Sequence, residues 1–235
     1  MRTIMISGAS RGIGRSIAKR MLDDGHRISL GLRNTDDLLD SKLDPMLYQD
    51  NRVISCCYDA RDSITASNWV KQTFTHFSNV DTLIHCAGIF YNTSLLFTDK
   101  QQHQINDLWN INVMGPWLLT RALWPYLICS TSPRIIVLVS MSGKRSKGSL
   151  AGYTASKFAL MGLCETIRNE GWSQGLRVTA ICPGWVNTDM SSSVTQISKN
   201  EMTQPEDIAS LTSHLLDLPD SCVPFELSMN CVLER

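Results

Sequence analysis

Surplus charge is absent from this 235-residue sequence, in which 22 lysines and arginines face 22 aspartates and glutamates. Nucleic-acid binders draw their affinity from a net positive surface, so this balance argues against that class of partner. Long apolar runs are missing too. No stretch approaches the roughly twenty residues of a membrane-spanning helix, and the chain enters a strand-like segment at once, so no cleavable leader is expected. Eight cysteines occur, at 56, 57, 86, 129, 164, 182, 222 and 231, but no two of them make a C-x-x-C pair. Without that spacing they are expected to be small buried hydrophobes, mostly in strands and helices, in the reducing compartment of a cytoplasmic protein, with neither a disulfide framework nor a metal site. Repeats, low-complexity tracts and linkers are lacking as well. The length then suits one domain over 1–235 with a substantial core.

What is present is alternation. Short apolar, β-branched runs predict strands near 2–7, 27–32, 52–58, 80–86, 134–140, 176–182 and 224–230. Segments of helical period predict helices near 12–24, 36–47, 62–77, 102–129, 154–173 and 204–217. Continuous apolar strands alternating with helices imply an α/β fold whose parallel sheet is covered on both faces. One stretch, 187–202, is polar and serine-rich. It reads equally well as a substrate flap or as plain surface loop.

Two local patterns carry chemistry. The first follows the opening strand: Gly8-Ala-Ser-Arg-Gly12-Ile-Gly14, then a helix with Ile17, Ala18, Met21 and Leu22 on one face. A strand, a glycine turn and a helix N-terminus form an anion site, because the backbone can approach closely and the first N–H groups point outward. The spacing is G-x-x-x-G-x-G rather than G-x-G-x-x-G. The second pattern joins Tyr153 and Lys157, four residues apart on one predicted helix, to Ser140 at the end of an apolar run. Positions i and i+4 share a helix face. An ammonium beside a phenol favours the phenolate, so the tyrosine is expected to exchange its proton nearer neutrality than its usual value of about 10. Taken alone, the Tyr–Lys spacing also describes an ordinary helix with a half-buried tyrosine and a snorkelling lysine.

With both patterns in place, the sequence resembles the short-chain dehydrogenase/reductase family. The resemblance rests on G-A-S-R-G-I-G at 8–14, Asp59, C-A-G at 86–88, N-V-M-G at 112–115, Ser140, Y-T-A-S-K at 153–157 and P-G-W-V-N-T at 183–188, in the family's order. It implies a single-domain, Rossmann-like doubly wound parallel sheet of about seven strands with helices on both faces. It also implies a nicotinamide cofactor and hydride exchange between a small carbonyl compound and its alcohol. On the resemblance, Ser140 donates to the substrate oxygen, Tyr153 is the acid/base, Lys157 tunes it and holds the nicotinamide ribose, and Asn112 holds a relay water through its main chain. A local argument supports the last of these. Pro116 follows Asn112 by four residues and has no N–H, which frees the Asn112 carbonyl; the same proline could instead only bend the helix.

The resemblance further implies cofactor contacts from Gly8, Ser10, Arg11, Gly12, Ile13 and Gly14, from Asp59 and Ala60 at the adenine, from Ala87 and Gly88, and from Pro183, Gly184, Val186 and Thr188 around the nicotinamide. NADP(H) is expected over NAD(H) on charge. Where an NAD-preferring chain carries an acid at the end of the second strand, this one has Leu32, followed by Arg33, and Arg33 with Arg11 could clamp a ribose phosphate. Phe90, Tyr91, Met141, Ser142, Leu150 and Trp185, with Ser140, would wall the substrate pocket. Lys144, Arg145 and Lys147 follow closely, either as solvated charges or as attractors of an acidic substrate or of a carrier-protein arm, which makes a 3-oxoacyl-carrier reductase the nearest rival. A non-catalytic NADP(H) sensor is a rival of another class, and a structural module a third. His85 reads as a core histidine. Helices 102–129, with Trp109, Trp117, Leu118 and Trp124, and 154–173 would pair two or four copies into a homodimer or homotetramer. The chain departs from the family pattern at Cys86, where asparagine is usual, and at its C-terminus, which lacks D-G-G.

Overall fold

A computed structural model describes residues 1–48 and 51–232. Seven parallel strands make one sheet in the order β3-β2-β1-β4-β5-β6-β7. They are β1 (Thr3–Ser7), β2 (Arg27–Leu32), β3 (Val53–Cys57), β4 (Thr82–His85), β5 (Arg134–Leu138), β6 (Arg177–Pro183) and β7 (Glu226–Met229). The helices are α1 (Gly12–Asp23), α2 (Ser63–Phe77), α3 (Gln102–Trp109), α4 (Gly115–Leu127), α5 (Ala151–Gly171) and α6 (Pro205–Asp217).

Strand alternation divides the core into two layers. Ile4 and Ile6 of β1 join Ile84 and Ile136 in packing on Ile17 and Met21 of α1 and Ile208 of α6. Met5, Leu83, Ile135 and Val137 turn the other way, onto Trp69 of α2, Leu119 of α4 and Leu160 of α5. Continuous apolar runs are what a sheet buried on both faces requires. Trp69 is fully buried, and its indole N–H donates to Ser29 Oγ at 2.8 Å, so the ring leaves no orphan donor inside.

β1 pairs with β2 on one side and β4 on the other, with Ser7 beside both Gly31 and His85. The strand order therefore reverses between β1 and β4, and a crevice opens beyond their C-terminal ends. His85 is a core histidine: its Nε2 lies 2.9 Å from Thr120 Oγ1, and burial pushes its pKa down to about 3.

Two predicted helices are corrected. Residues 36–47 form no α-helix, only 3₁₀ turns at Thr35–Leu38 and Pro45–Leu47. Leu39 is extended, Asp40 sits at φ 56°, and Asp44, extended as a residue before proline tends to be, turns its carboxylate to the Met46 N–H at 2.9 Å. Leu39, Leu43 and Met46 recur at helical spacing, but Leu39 and Met46 are exposed and Leu43 alone of the three is buried. The predicted helix 102–129 is split as α3 and α4 by a π-helical turn, Asn110–Met114, just ahead of Pro116. A π turn is one way to absorb a missing N–H without ending the helix. The cysteines are corrected in part: all eight are unpaired, but Cys57, Cys129 and Cys222 are exposed. The last three residues of the tail whose D-G-G is missing lie outside the described residues.

Candidate active site

The crevice is floored by the glycine turn. Gly8 has φ 71° and Gly12 φ 55°, a region open to glycine and strained for other residues. A Cβ on Gly8 would also lie 2.7 Å from the Ala87 backbone, and one on Gly14 would collide with the Gly8 carbonyl. No side chain caps the N-terminus of α1, and its first turn contains no acid. The leading N–H groups thus face outward over a cradle that only glycine leaves open, which fits a pyrophosphate. Ser7 Oγ accepts from the Cys86 and Ala87 N–H groups, both at 3.2 Å, and ties the β4 exit to this turn.

Arg33 is exposed just past β2, and its charge reaches Asp59, which follows β3 by two residues. Arg61 grips both Asp59 oxygens, the shorter bond being 2.6 Å, and this holds the Asp59 carboxyl below its ordinary range. Sequence reasoning gave Arg61 no part. Arg11 reaches across to Asp189 at 3.7 Å, an exposed pair of little energetic weight. Ala60 is buried where a Cβ on Gly115 would come within 2.7 Å, so it sets how closely the start of α4 approaches.

Ser140, Tyr153 and Lys157 line one cleft, as do Gly88, Ile13, Pro183, Gly184, Val186 and Thr188. Ser140 follows β5 at φ 152° and ψ 158°, a combination close to glycine-only, and its hydroxyl accepts from the Ser142 N–H at 3.0 Å. Tyr153 and Lys157 lie buried on the first turns of α5, and Phe90 meets the Tyr153 ring edge-on at 5.0 Å between centroids.

One electrostatic expectation is overturned. Tyr153 is not brought towards neutrality: burial pushes the phenol up to about 12, and the Ser140 side chain offsets this only partly. The Lys157 ammonium is 5.8 Å from the Tyr153 ring centroid and donates to the Leu138 carbonyl at 3.0 Å. Burial lowers its own pKa to about 8. In a dry interior desolvation outweighs an attraction that no direct hydrogen bond completes.

Asn112 sits in the π turn, and its side chain does more than its spacing revealed. Its Oδ1 accepts from the Ile89 N–H at 2.9 Å, and its Nδ2 donates to the Ile89 carbonyl at 3.0 Å and to Ser156 Oγ at 3.1 Å. The amide thereby fastens the Gly88–Ile89 segment to α5. No periodicity argument could find this, since it joins three remote segments.

Of the expected substrate wall, Phe90, Met141, Ser142, Leu150 and Trp185 line the cleft, whereas Tyr91 is absent from the described lining. Cys86, Arg145, Lys147 and Met190 line it as well. Met190 shares its polar, serine-rich run with Val194, Ile197 and Met202, so nothing in the sequence singles it out as the one that reaches the cleft. The segment after Val186 is closed at its base, where Asn187 N–H donates to the Thr203 carbonyl at 2.9 Å and Thr203 N–H to the Trp185 carbonyl at 3.2 Å.

Residues 2–199 match the model of the short chain dehydrogenase family. An agropine synthesis reductase of Rhizobium rhizogenes is 37% identical over 98% of this chain, but the chain spans only 53% of that relative's length. A 3-oxoacyl-[acyl-carrier-protein] reductase of Staphylococcus epidermidis is 25% identical over 86% of this chain and 82% of its own. Among solved structures, an alcohol dehydrogenase from the archaeon Thermococcus sibiricus, complexed with 5-hydroxy-NADP, superposes with a TM-score of 0.88 at 27% identity, covering 100% of this chain and 98% of that one. A metagenomic short-chain oxidoreductase in complex with NADP gives 0.79 at 26% identity, covering 99% and 98%.

Proposed function

The chain belongs to the short chain dehydrogenase family, and from that premise we propose that it interconverts a carbonyl and an alcohol on a small molecule, with NADP(H) as cofactor. The observation that carries this reading is the opening of Ser140, Tyr153 and Lys157 into one cleft beside the glycine cradle. Gly8, Gly12, Gly14 and the free N-terminus of α1 would hold the pyrophosphate, Arg33 and Arg11 a ribose phosphate, and Lys157 the nicotinamide ribose. NADPH, when bound, supplies the hydride for the carbonyl carbon. Ser140 donates a hydrogen bond to the carbonyl oxygen, and Tyr153 gives that oxygen its proton. With its pKa at about 12, the free enzyme's phenol is protonated, the form that reduction consumes. Oxidation needs the phenolate and therefore a positive charge brought close to it.

Asn112 keeps the wall at Gly88 and Ile89 in place, and its main chain is suited to a water that returns a proton through Lys157. The loop between Val186 and Thr203 serves as a flap whose base is pinned and whose Met190 faces the cleft. Eight unpaired cysteines favour a reducing cytoplasm. Among the described residues, no helix is long and apolar enough to cross a membrane. Trp109, Trp117 and Phe158 are 48%, 52% and 46% exposed on α3, α4 and α5, so these helices suit pairing with a second copy, while Leu118 and Trp124 are half-buried already. A monomer by light scattering at micromolar concentration would remove the oligomer.

A panel of ketones, aldehydes and 3-oxoacyl thioesters, followed by NADPH absorbance, tests the reaction. Turnover of at least one member is expected, with Tyr153→Phe lowering kcat by about 10²-fold or more and NADPH affinity by fluorescence largely kept. NADPH binding without turnover anywhere on the panel would refute catalysis in favour of a sensor.

A further inference from the structure

We propose that the substrate is an elongated carbonyl compound, with a reacting end at Ser140 and Tyr153, an apolar middle and a neutral polar tail. The place of the reacting end rests on the catalytic reading above; the site for the tail does not. Beside the cleft lies a second chamber, and the two share Phe90, Lys147, Leu150, Trp185 and Met190 in their walls. Ser140 and Tyr153 line the inner space alone, which measures about 150 Å³, against about 460 Å³ for the outer chamber. Sites for small molecules usually enclose roughly 300–1,000 Å³. The inner space, which Ile13, Gly88 and Thr188 also line and a nicotinamide must share, falls short of that range. The two together lie within it.

Local structure builds the passage between them. The Ala151 N–H donates to the Thr93 carbonyl at 2.8 Å, which fastens the segment 90–93 to the start of α5. Phe90 meets the Tyr153 ring edge-on and lines both spaces, so it stands between the reacting phenol and the chamber. Leu150 and Met190 add apolar surface, as does Trp185, whose ring centroid is 5.7 Å from the Lys147 ammonium. Such a waist gains from covering methylenes or an aromatic ring. Beyond it the lining changes. Asn92, Ser193 and Gln196 line the chamber and not the inner cleft, and no carboxylate is found among the described residues there. Amides and a hydroxyl both give and accept hydrogen bonds, which suits a hydroxyl or amide tail. Ser193, Val194 and Gln196 belong to the flap, and its turn is fixed. Ser191 Oγ donates to the Val186 carbonyl at 2.6 Å and the Val194 N–H to the Ser191 carbonyl at 3.0 Å.

The experiment titrates unreactive amides, whose carbonyl imitates the reacting group, into the NADP⁺-saturated protein by calorimetry. From butanamide through hexanamide to octanamide, affinity should rise about threefold per methylene. 8-Hydroxyoctanamide should bind at least as tightly as octanamide, although a purely apolar pocket would hold it about tenfold less well. It should also bind more tightly than 8-amino-8-oxooctanoate, whose tail is a carboxylate. Val194→Trp, which fills the chamber, should erase the gain, so that octanamide binds no better than butanamide. Ser193→Trp, at an exposed flap position, repeats the test should the first variant fold poorly, and NADPH binding by fluorescence shows which variants are folded. In turnover, kcat/KM should climb from 2-butanone to 2-octanone through KM. Affinity that stays flat with chain length, a tenfold loss on adding the hydroxyl, a preference for the carboxylate tail, or a length dependence intact in the folded variants each overturns the proposal. The amide pattern without turnover of any ketone upholds the elongated site and defeats only the catalytic reading.

Discussion

Replacing Asn112 by alanine removes three hydrogen bonds at once, to the Ile89 N–H, the Ile89 carbonyl and Ser156 Oγ, at 2.9, 3.0 and 3.1 Å. Each such bond contributes about 1 kcal/mol net, and more where its partner is left unsatisfied in the interior. Ser156 retains a bond to the Tyr153 carbonyl at 2.7 Å, and Ile89 lies on the cleft wall, where water can reach it. The loss should therefore be about 2 kcal/mol rather than the full 3. Unfolding entropy near 2.1 cal/mol/K per residue over 235 residues gives ~0.5 kcal/mol/K, so Tm should fall by about 4 °C. A calorimetric melt of the cofactor-free protein measures this, and hydrogen exchange at the Ile89 amide gives the local readout, with faster exchange expected in Asn112→Ala. Because alanine keeps the main-chain carbonyl of 112, turnover should fall only by about tenfold, as a loosened wall costs positioning and not the water site. A Tm within 1 °C of the parent, together with unchanged protection at Ile89, would refute the assignment of the side chain as a fastening.

Two further outcomes follow from charge. Burial pulls Lys157 from 10.5 to about 8, so the folded chain releases this proton more readily than the unfolded one. Holding the charge costs stability in full below pH 8, about 3 kcal/mol, and the cost fades as pH climbs towards 10.5. The Tm difference between Lys157→Met and the parent should accordingly be most positive near pH 7 and shrink by pH 10; a difference independent of pH contradicts the burial argument. Arg33→Ser should weaken NADPH binding roughly tenfold or more and leave NADH nearly unchanged, read by fluorescence titration, and equal losses for both cofactors would remove the phosphate clamp.

Much of this molecule is legible in its sequence because the informative features are local. Ile4, Ile6 and Met5 announce a strand buried on both faces, and Gly8, Gly12 and Gly14 mark a turn whose geometry tolerates nothing larger. Tyr153 and Lys157 share a face because α5 runs unbroken through both. Legibility ends where the controlling interactions are remote. Leu39, Leu43 and Met46 copy a helical period, but the Asp44–Pro45 pair and the left-handed Asp40 decide otherwise. The Tyr153 phenol was misjudged because its ionisation depends on how much protein covers it, which a spacing of four cannot report. Arg61 on Asp59 and Asn112 on Ile89 were missed for a similar reason, being matters of where side chains finally settle.

The backbone of Ser140 has a thermodynamic corollary. Its torsions lie where glycine rests comfortably and a side chain does not, so the alcohol is kept at a position that folding alone would assign to hydrogen. A mutation to glycine there should toughen the protein against heat while disarming it. On the reaction proposed above, that strain is the cost of holding a hydroxyl at the hydride site, and the fold itself has no use for it.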